Sequence, residues 1–314
     1  MKARALDFLV CPRCQEALEL ESRSAQGAEI LEGMLRCRAC GRAYPIVRGV
    51  PRFVGDGDYA SSFGRQWNWF SAVQLDSRNG SDQSERALRG ATGWSDEDYA
   101  GRLVLDAGAG AGRFADVVAR KGGEVVGVDL TAAVDAAYRN LGEHERVHLV
   151  QADIFAMPFR EGTFDLAYSI GVLHHTPDTA AAFGRVAATV KKGGGFGVYV
   201  YAAYGSWYLG SDLLRKLVTT RLPPRVMLGL TAAAIPLYYL YRLPLLGKIC
   251  QALAPISMHP DWRWRWLDTF DWYTPKYQWK HRYPEVYRWF RTNGFLDVEI
   301  FDTGLIKMRG VKTS

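Results

Sequence analysis

Short apolar runs recur between residues 100 and 203, and most stop on an acidic residue or a glycine. Leu103-Val104-Leu105 runs into Asp106, Val125-Val126-Gly127-Val128 into Asp129, and Val147 to Ala152 into Asp153. Thr163 to Ile170 and Phe196 to Tyr201 complete the series. Short apolar runs rich in β-branched and aromatic residues predict buried strands. Helix-patterned segments separate them, one running from about Pro177 to Lys191 and stopping at Gly193-Gly194-Gly195. Strands alternating with helices imply βαβ units and a parallel sheet covered on both faces. Ligands of such sheets sit beyond the carboxyl ends of the strands, where Asp106, Asp129, Asp153 and Ile170 fall.

The link after the first strand, Ala107-Gly108-Ala109-Gly110-Ala111-Gly112, carries no bulky side chain. Its backbone N–H groups and the helix N-terminus that follows can meet a ligand's polar tail. A carboxylate at Asp129 can accept hydrogen bonds from a ribose diol, so the pattern predicts a nucleoside-cofactor site. A dinucleotide fingerprint needs a small residue three positions after Gly110, and Arg113 stands there. The spacing of Asp106, Gly108, Gly110 and Gly112 instead resembles motif I of the class I S-adenosylmethionine-dependent methyltransferases. "QADIFAMPF" followed by "FDLAYSIGVLHHTPD" is similar to the later motifs of small-molecule methyltransferases of the quinone-biosynthesis type. The resemblance covers residues 100–203.

That resemblance implies an α/β fold with a Rossmann-like, doubly wound seven-stranded sheet, and S-adenosylmethionine as cofactor. It implies that Asp106 and the turn Gly108, Ala109, Gly110 and Gly112 surround the methionine end, and that Asp129, followed by Leu130, holds the ribose. Asp153 would cap the adenine amino group, Ile154 would pack on the ring, and Ile170 would line the same crevice. In related enzymes the segment before motif I folds over the cofactor, which makes Arg65, Gln66 and Trp67 lid candidates.

Cys11-Pro12-Arg13-Cys14 and Cys37-Arg38-Ala39-Cys40 are two Cys-x-x-Cys knuckles with 22 residues between them. Four such thiolates close a tetrahedral zinc site, and the gap suits a ribbon with a long hairpin. A redox site needs one such pair beside a βαβ unit, not two ahead of the sheet. The run "LVCPRCQEALEL…LRCRACGRAYPIVRGVPRFV" resembles the small zinc-ribbon proteins that activate tRNA and release-factor methyltransferases, here fused in cis. The ribbon is either a folding nucleus too small to hold together without metal or a brace for the catalytic cleft. The layout is then a ribbon over 1–57, an aromatic lid or linker over 58–100, and a methyltransferase domain over 101–314. Met1–Leu20 shows no signal-peptide pattern, so a cytoplasmic location is expected.

With 48% hydrophobic and 23% charged residues the chain is an ordinary globular sequence, but its charge is uneven. The final 111 residues carry sixteen basic and eight acidic side chains, a net of +8 against +6 for the whole chain. Residues 204–281 read as a helical insertion after the fifth strand. Within it Val226–Tyr241 has no charge but is interrupted by Pro236, too short to span a bilayer. It is either a buried cap over the active site or a hairpin in peripheral contact with a membrane, anchored by Arg221, Arg225, Arg242, Lys248 and Trp262, Trp264 and Trp266. Both favour a small or lipid-like, largely apolar acceptor, and the arginines suit an anionic group on it. Nucleic acid is the disfavoured rival, since no Lys/Arg cluster appears. A tRNA or protein methyltransferase, a cofactor-binding scaffold without catalysis and an NAD enzyme are the alternatives. His174 and His175 are candidate bases. Asp271, Tyr273, Tyr277 and His281, in or near the run Asp268–Tyr277, read as a substrate-facing loop.

Overall fold

β5 (Leu103–Ala107) lies near the centre of a seven-stranded sheet, between β8 (Phe164–Ile170) and β6 (Glu124–Asp129). The strand order is β10-β11-β9-β8-β5-β6-β7, with β7 at Val147–Gln151 and β9 at Val190–Val200. All pairs from β9 to β7 are parallel. The carboxyl-terminal hairpin of β10 (Phe295–Ile300) and β11 (Ile306–Lys312) adds antiparallel to β9. This is the expected doubly wound architecture. The computed structural model describes residues 1–54, 68–204, 209–302 and 304–313. Arg65, Gln66 and Trp67 of the expected lid lie outside them.

Successive residues of β5 face opposite sides, as the pleat requires. Val104 enters a core with Leu88, Trp94, Val125 and Leu166, and Leu105 enters one with Val126, Phe183 and Phe196. Helices α1 (Gln83–Thr92), α2 (Arg113–Arg120), α3 (Ala133–Leu141) and α4 (Thr179–Ala188) cover the sheet. The helix predicted to end at the triple glycine stops instead at Ala188, and β9 begins at Val190, ahead of the glycines. A Cβ on Gly194 would stand 2.5 Å from the Asp165 carbonyl, and one on Gly195 would stand 2.9 Å from Trp94. These glycines let the strand lie close to its neighbours rather than turn.

The amino-terminal residues form a four-stranded antiparallel sheet, β1 (Glu19–Gln26), β2 (Glu29–Arg36), β3 (Ala43–Val47) and β4 (Val50–Pro51). The long β1–β2 hairpin fills the gap between the knuckles. This ribbon is not a separate globule. Its Phe8, Leu9, Leu35 and Ile46 share one core with Leu105 and Val126 of the large sheet. Phe53 N–H donates to the Gln151 carbonyl at 2.7 Å, so the chain leaving β4 covers the open edge of β7.

The insertion folds into α5 (Leu209–Leu217), α6 (Pro224–Thr231), α7 (Ala234–Tyr241), α8 (Pro244–Leu253) and α9 (Trp262–Tyr273). Small cores hold it: Met227 with Phe270 and Tyr273, and Ala234 with Tyr241 and Ile256. The apolar run is therefore only half a buried cap, because Val226, Leu230, Tyr239 and Leu240 remain exposed. Of the three tryptophans read as anchors only Trp262 is exposed. Trp264 is buried and stacks on His259 at 4.4 Å, and Trp266 Nε1 donates to the Leu228 carbonyl at 3.0 Å. The closing helix α10 (Tyr283–Thr292) precedes Gly294, whose φ of 80° ends it.

Candidate active site

The carboxyl ends of β5, β6 and β8 and the loop after β7 open onto one cavity of about 440 Å³. Gly108, Ala109, Gly110, Asp129, Leu130, Ile154 and Ile170 all line it. Gly108, Gly110 and Gly112 have φ of 98°, 53° and 90°, a region that favours glycine. A Cβ on Gly108 would reach Val172 at 2.4 Å, and one on Gly112 would reach Leu141 at 2.6 Å. Gly112 therefore serves helix packing and does not reach the cavity wall. Gly110 N–H donates to Asp129 Oδ2 at 2.9 Å, while Asp129 Oδ1 accepts from Thr131 N–H at 2.9 Å and from its hydroxyl at 2.7 Å. Burial pushes the Asp129 carboxyl pKa up, and these donors oppose the shift.

Asp106 is 1% exposed and sits behind the turn rather than in the wall, its Oδ2 without a hydrogen-bond partner among the described residues. Burial raises its pKa to about 7, with Tyr168 opposing and Asp129 adding to the shift. A buried carboxylate oxygen left without a partner is costly, and a cation brought beside it recovers part of that cost. Asp153 is turned away from the cavity: its Oδ1 accepts from Phe155 N–H at 3.0 Å and caps the short turn Ile154–Ala156. Ile154 alone of that pair faces the cavity.

The opposite wall is the face of α9 that carries Leu267, Asp268, Asp271 and Trp272. The sequence reads Asp268–Tyr277 as a loop, yet its first half is helix. Positions three and four apart share a helix face, which brings Asp271 and Trp272 alongside Leu267 and Asp268 and turns Tyr273 away. Tyr273 instead donates its hydroxyl to the Pro255 carbonyl at 3.0 Å. Residues 277–281 are pinned to the end of β9 and to the histidine turn. Trp279 N–H donates to the His174 carbonyl at 2.9 Å and His281 N–H to the Tyr201 carbonyl at 2.8 Å. The His281 ring bridges Glu285 (2.9 Å) and Thr179 (3.1 Å), outside the cavity.

The two adjacent histidines have different surroundings. His174 is fully buried, stacks on Tyr201 at 3.9 Å and does not reach the cavity wall. Among the described residues neither of its ring nitrogens has a hydrogen-bond partner, and burial holds its pKa well below the usual value. His175 lines the cavity, with Nδ1 2.8 Å from the Tyr277 carbonyl. A carbonyl only accepts, so Nδ1 carries the proton and Nε2 the lone pair. Burial lowers the His175 pKa to about 4, the Tyr277 carbonyl opposing, so the ring is neutral at pH 7. Tyr277 thus reaches the site through its backbone, not its side chain.

Arg113 and Asp268 escaped sequence reasoning as a pair. Arg113 Nε donates to Ser84 Oγ at 3.0 Å and Nη1 to Gln74 Oε1 at 3.3 Å, and the guanidinium lies over Trp264 at 5.1 Å. Burial lowers its pKa to about 10, with Asp268 opposing. Asp268 accepts from Gln74 Nε2 at 3.3 Å and Ser257 Oγ at 3.2 Å. Burial raises its carboxyl to about 6, opposed by Arg113. The one local signal for Arg113 is its bulk where a dinucleotide site needs a small residue. Tyr199, Tyr201 and Lys307 complete this side of the cavity.

In the ribbon the Cys11, Cys14, Cys37 and Cys40 sulfurs lie within 4.8 Å of one another, with Cys11–Cys40 at 3.6 Å and Cys14–Cys37 at 3.4 Å. Tetrahedral zinc with Zn–S of about 2.3 Å places its sulfurs roughly 3.8 Å apart, so the set fits a four-thiolate ion. The Tyr44 hydroxyl lies 3.3 Å from Cys11 Sγ.

Two parts of the chain match known families: residues 105–198 match "Methyltransferase domain" and residues 2–49 match "Trm112p-like protein". A sterol 24-C-methyltransferase of Eremothecium gossypii is 38% identical over 104 residues, 32% of this chain and 28% of the relative. A ubiquinone biosynthesis O-methyltransferase of Aromatoleum aromaticum is 31% identical over 131 residues, 37% of this chain and 56% of the relative. The chain thus spans between about a quarter and just over half of the length of these relatives. Among solved structures, the complex between the Haloferax volcanii Trm112 methyltransferase activator and the putative methyltransferase overlaps 80% of this chain and 98% of that one, with 14% identity and a TM-score of 0.45. The amino-terminal ribbon is thus similar to the Trm112p-like family, and the parallel part of the large sheet to the methyltransferase-domain family.

Proposed function

We propose that this protein is an S-adenosylmethionine-dependent methyltransferase acting on a small or lipid-like, largely apolar acceptor, and that its ribbon holds structural zinc. The observation that carries the reading is the Asp129 carboxylate at the end of β6, bonded to Gly110 N–H inside the cavity. Asp129 and Leu130 would hold the ribose, Ile154 and Ile170 the adenine, and Ala109 and Gly110 the polar tail, with Asp106 behind the turn favouring its positive charge. The chemistry that S-adenosylmethionine supplies when bound is an electrophilic methyl on a sulfonium. The protein's remaining task is to hold a nucleophile in line with that methyl and to take its proton. The neutral His175 ring, held through Nδ1 by the Tyr277 carbonyl, is assigned as the base through Nε2. His174 keeps the Tyr201 ring in place.

Phe114, Tyr199, Tyr201, Leu267 and Trp272 give the cavity an apolar wall, which supports an apolar acceptor. An anionic group on it finds less support: Arg113 and Lys307 share the wall with Asp129, Asp268 and Asp271, and Lys307 Nζ already lies 3.1 Å from Asp302. Calorimetry with S-adenosylhomocysteine and with NAD tests the assignment. The first is expected to bind and the second not. Asp129→Ala is expected to weaken binding about 10- to 100-fold, since a charge-assisted hydrogen bond contributes about 1.5–3 kcal/mol. Unchanged affinity in the variant, or no binding at millimolar ligand, overturns the assignment. Formation of S-adenosylhomocysteine from S-adenosylmethionine over a panel of phenols, quinols and sterols separates an enzyme from a scaffold.

A further inference from the structure

The helical insertion turns an unusual amount of apolar surface outward. Among the described residues, fifteen of the twenty-two exposed large apolar side chains fall between Leu213 and Trp262. Leu245 is 76% exposed, Leu253 72% and Tyr239 70%. Contiguous apolar surface on a folded protein marks an interaction site, and its charge indicates the partner. No acidic residue occurs from Leu213 to Pro260, while Lys216, Arg221, Arg225, Arg242 and Lys248 are all exposed. Apolar side chains interspersed with cations complement an anionic lipid surface. No helix among the described residues is long and apolar enough to cross a membrane. α7 and α8 amount to roughly 12 and 15 Å of helix against a hydrocarbon core of about 30 Å. Helices of this size are too short to span a bilayer and can only lie on its surface.

Beside α8 runs a groove of about 620 Å³, with Leu243, Pro244, Ile256 and Met258 in its walls and Arg242 and Lys248 among the same lining. Trp272 lines this groove and also the cofactor cavity. A single indole therefore borders both the outward apolar groove and the cleft.

We propose that α5–α8 dock on an anionic membrane surface and that the α8 groove takes the apolar tail of a lipid-like acceptor, whose head passes Trp272 into the cleft. The events in the cleft rest on the methyltransferase reading; the docking does not. The full chain is to be sedimented with vesicles of phosphatidylcholine, alone or mixed with phosphatidylglycerol. Binding to the mixed vesicles only, released by salt, is expected. Leu245→Asp with Ile249→Asp, both exposed positions, is expected to weaken it at least about tenfold, and Arg242→Gln with Lys248→Gln to remove the preference for anionic lipid. S-adenosylhomocysteine affinity should not change in either variant, so loss of the cofactor reading and loss of the docking are distinguishable. Dodecyl phosphate is expected to bind wild type and to lose about tenfold in Ala252→Trp, which fills the groove, with vesicle binding retained. Equal binding to neutral and anionic vesicles, or no binding to either, overturns the proposal. So does self-association of the lipid-free chain that the Leu245→Asp, Ile249→Asp variant abolishes.

Discussion

Asp106 places a carboxyl in the protein interior with one oxygen unpartnered among the described residues and a pKa raised by burial to about 7. The sign of the consequence follows from linkage. Folded protein holds a proton there between about pH 4 and 7 that the unfolded chain releases, so Asp106 lowers stability as pH rises through that window. A cation bound nearby pulls the pKa back down. Cofactor affinity is therefore expected to rise with pH up to about 7, and binding at pH 6 to release about one proton. Calorimetry in two buffers of different ionisation enthalpy reads that proton, and Asp106→Asn should abolish it. Neither the carboxyl's burial nor its missing partner is visible in the string Leu105-Asp106-Ala107. The same holds for His174 and His175, which look equivalent in sequence. The structure separates them because one ring packs under Tyr201 and the other lies in the cavity wall.

Among the elements, the cysteine knuckles were the most legible, because two Cys-x-x-Cys pairs and a hairpin-length gap specify a ribbon locally. One zinc per chain is expected by elemental analysis. Chelation or Cys37→Ser is expected to lower the melting temperature by at least about 5 °C, the shift that a loss of a few kcal/mol produces in a chain of this size. Because Cys11 and Cys37 belong to the core shared with the large sheet, the loss should appear in one transition rather than as a separately melting ribbon. α9 was the least legible element. Its mixture of Asp, Trp, Tyr and Thr has a weak helical pattern, and only packing against α6 and α7 determines which face meets the cleft.

At the scale of the whole molecule, Arg52 ties the ribbon to the cofactor side of the sheet. Its guanidinium bonds Asp135 Oδ1 at 2.7 Å and Gln151 Oε1 at 2.9 Å, and Gln151 Nε2 donates to the Leu130 carbonyl at 2.9 Å. Leu130 lines the cavity, so a run of hydrogen bonds joins the ribbon to the cleft wall. Both partners of the Arg52–Asp135 pair are largely buried, at 11% and 14% exposure. Arg52→Ala is expected to cost about 1–3 kcal/mol, with part of Asp135's charge still met by Arg48, and to weaken S-adenosylhomocysteine less than tenfold. Arg48→Ala, at a side chain 69% exposed, should move neither readout. Thermal melts and calorimetry on the two variants check the difference. Full retention of both properties in Arg52→Ala would show that the ribbon braces nothing.

The order of strands and helices, the glycine turn, the acidic strand ends and the cysteine pairs were all set by the sequence, because backbone periodicity, turn chemistry and ligand spacing act over a few residues. Only the tertiary structure decided that Arg113 and Asp268 face one cavity, that Asp106 and Asp153 stand back from it, and that Val226, Leu230, Tyr239 and Leu240 of the uncharged run turn outward. Those outcomes depend on which distant segment packs against a given face. No local pattern encodes that choice.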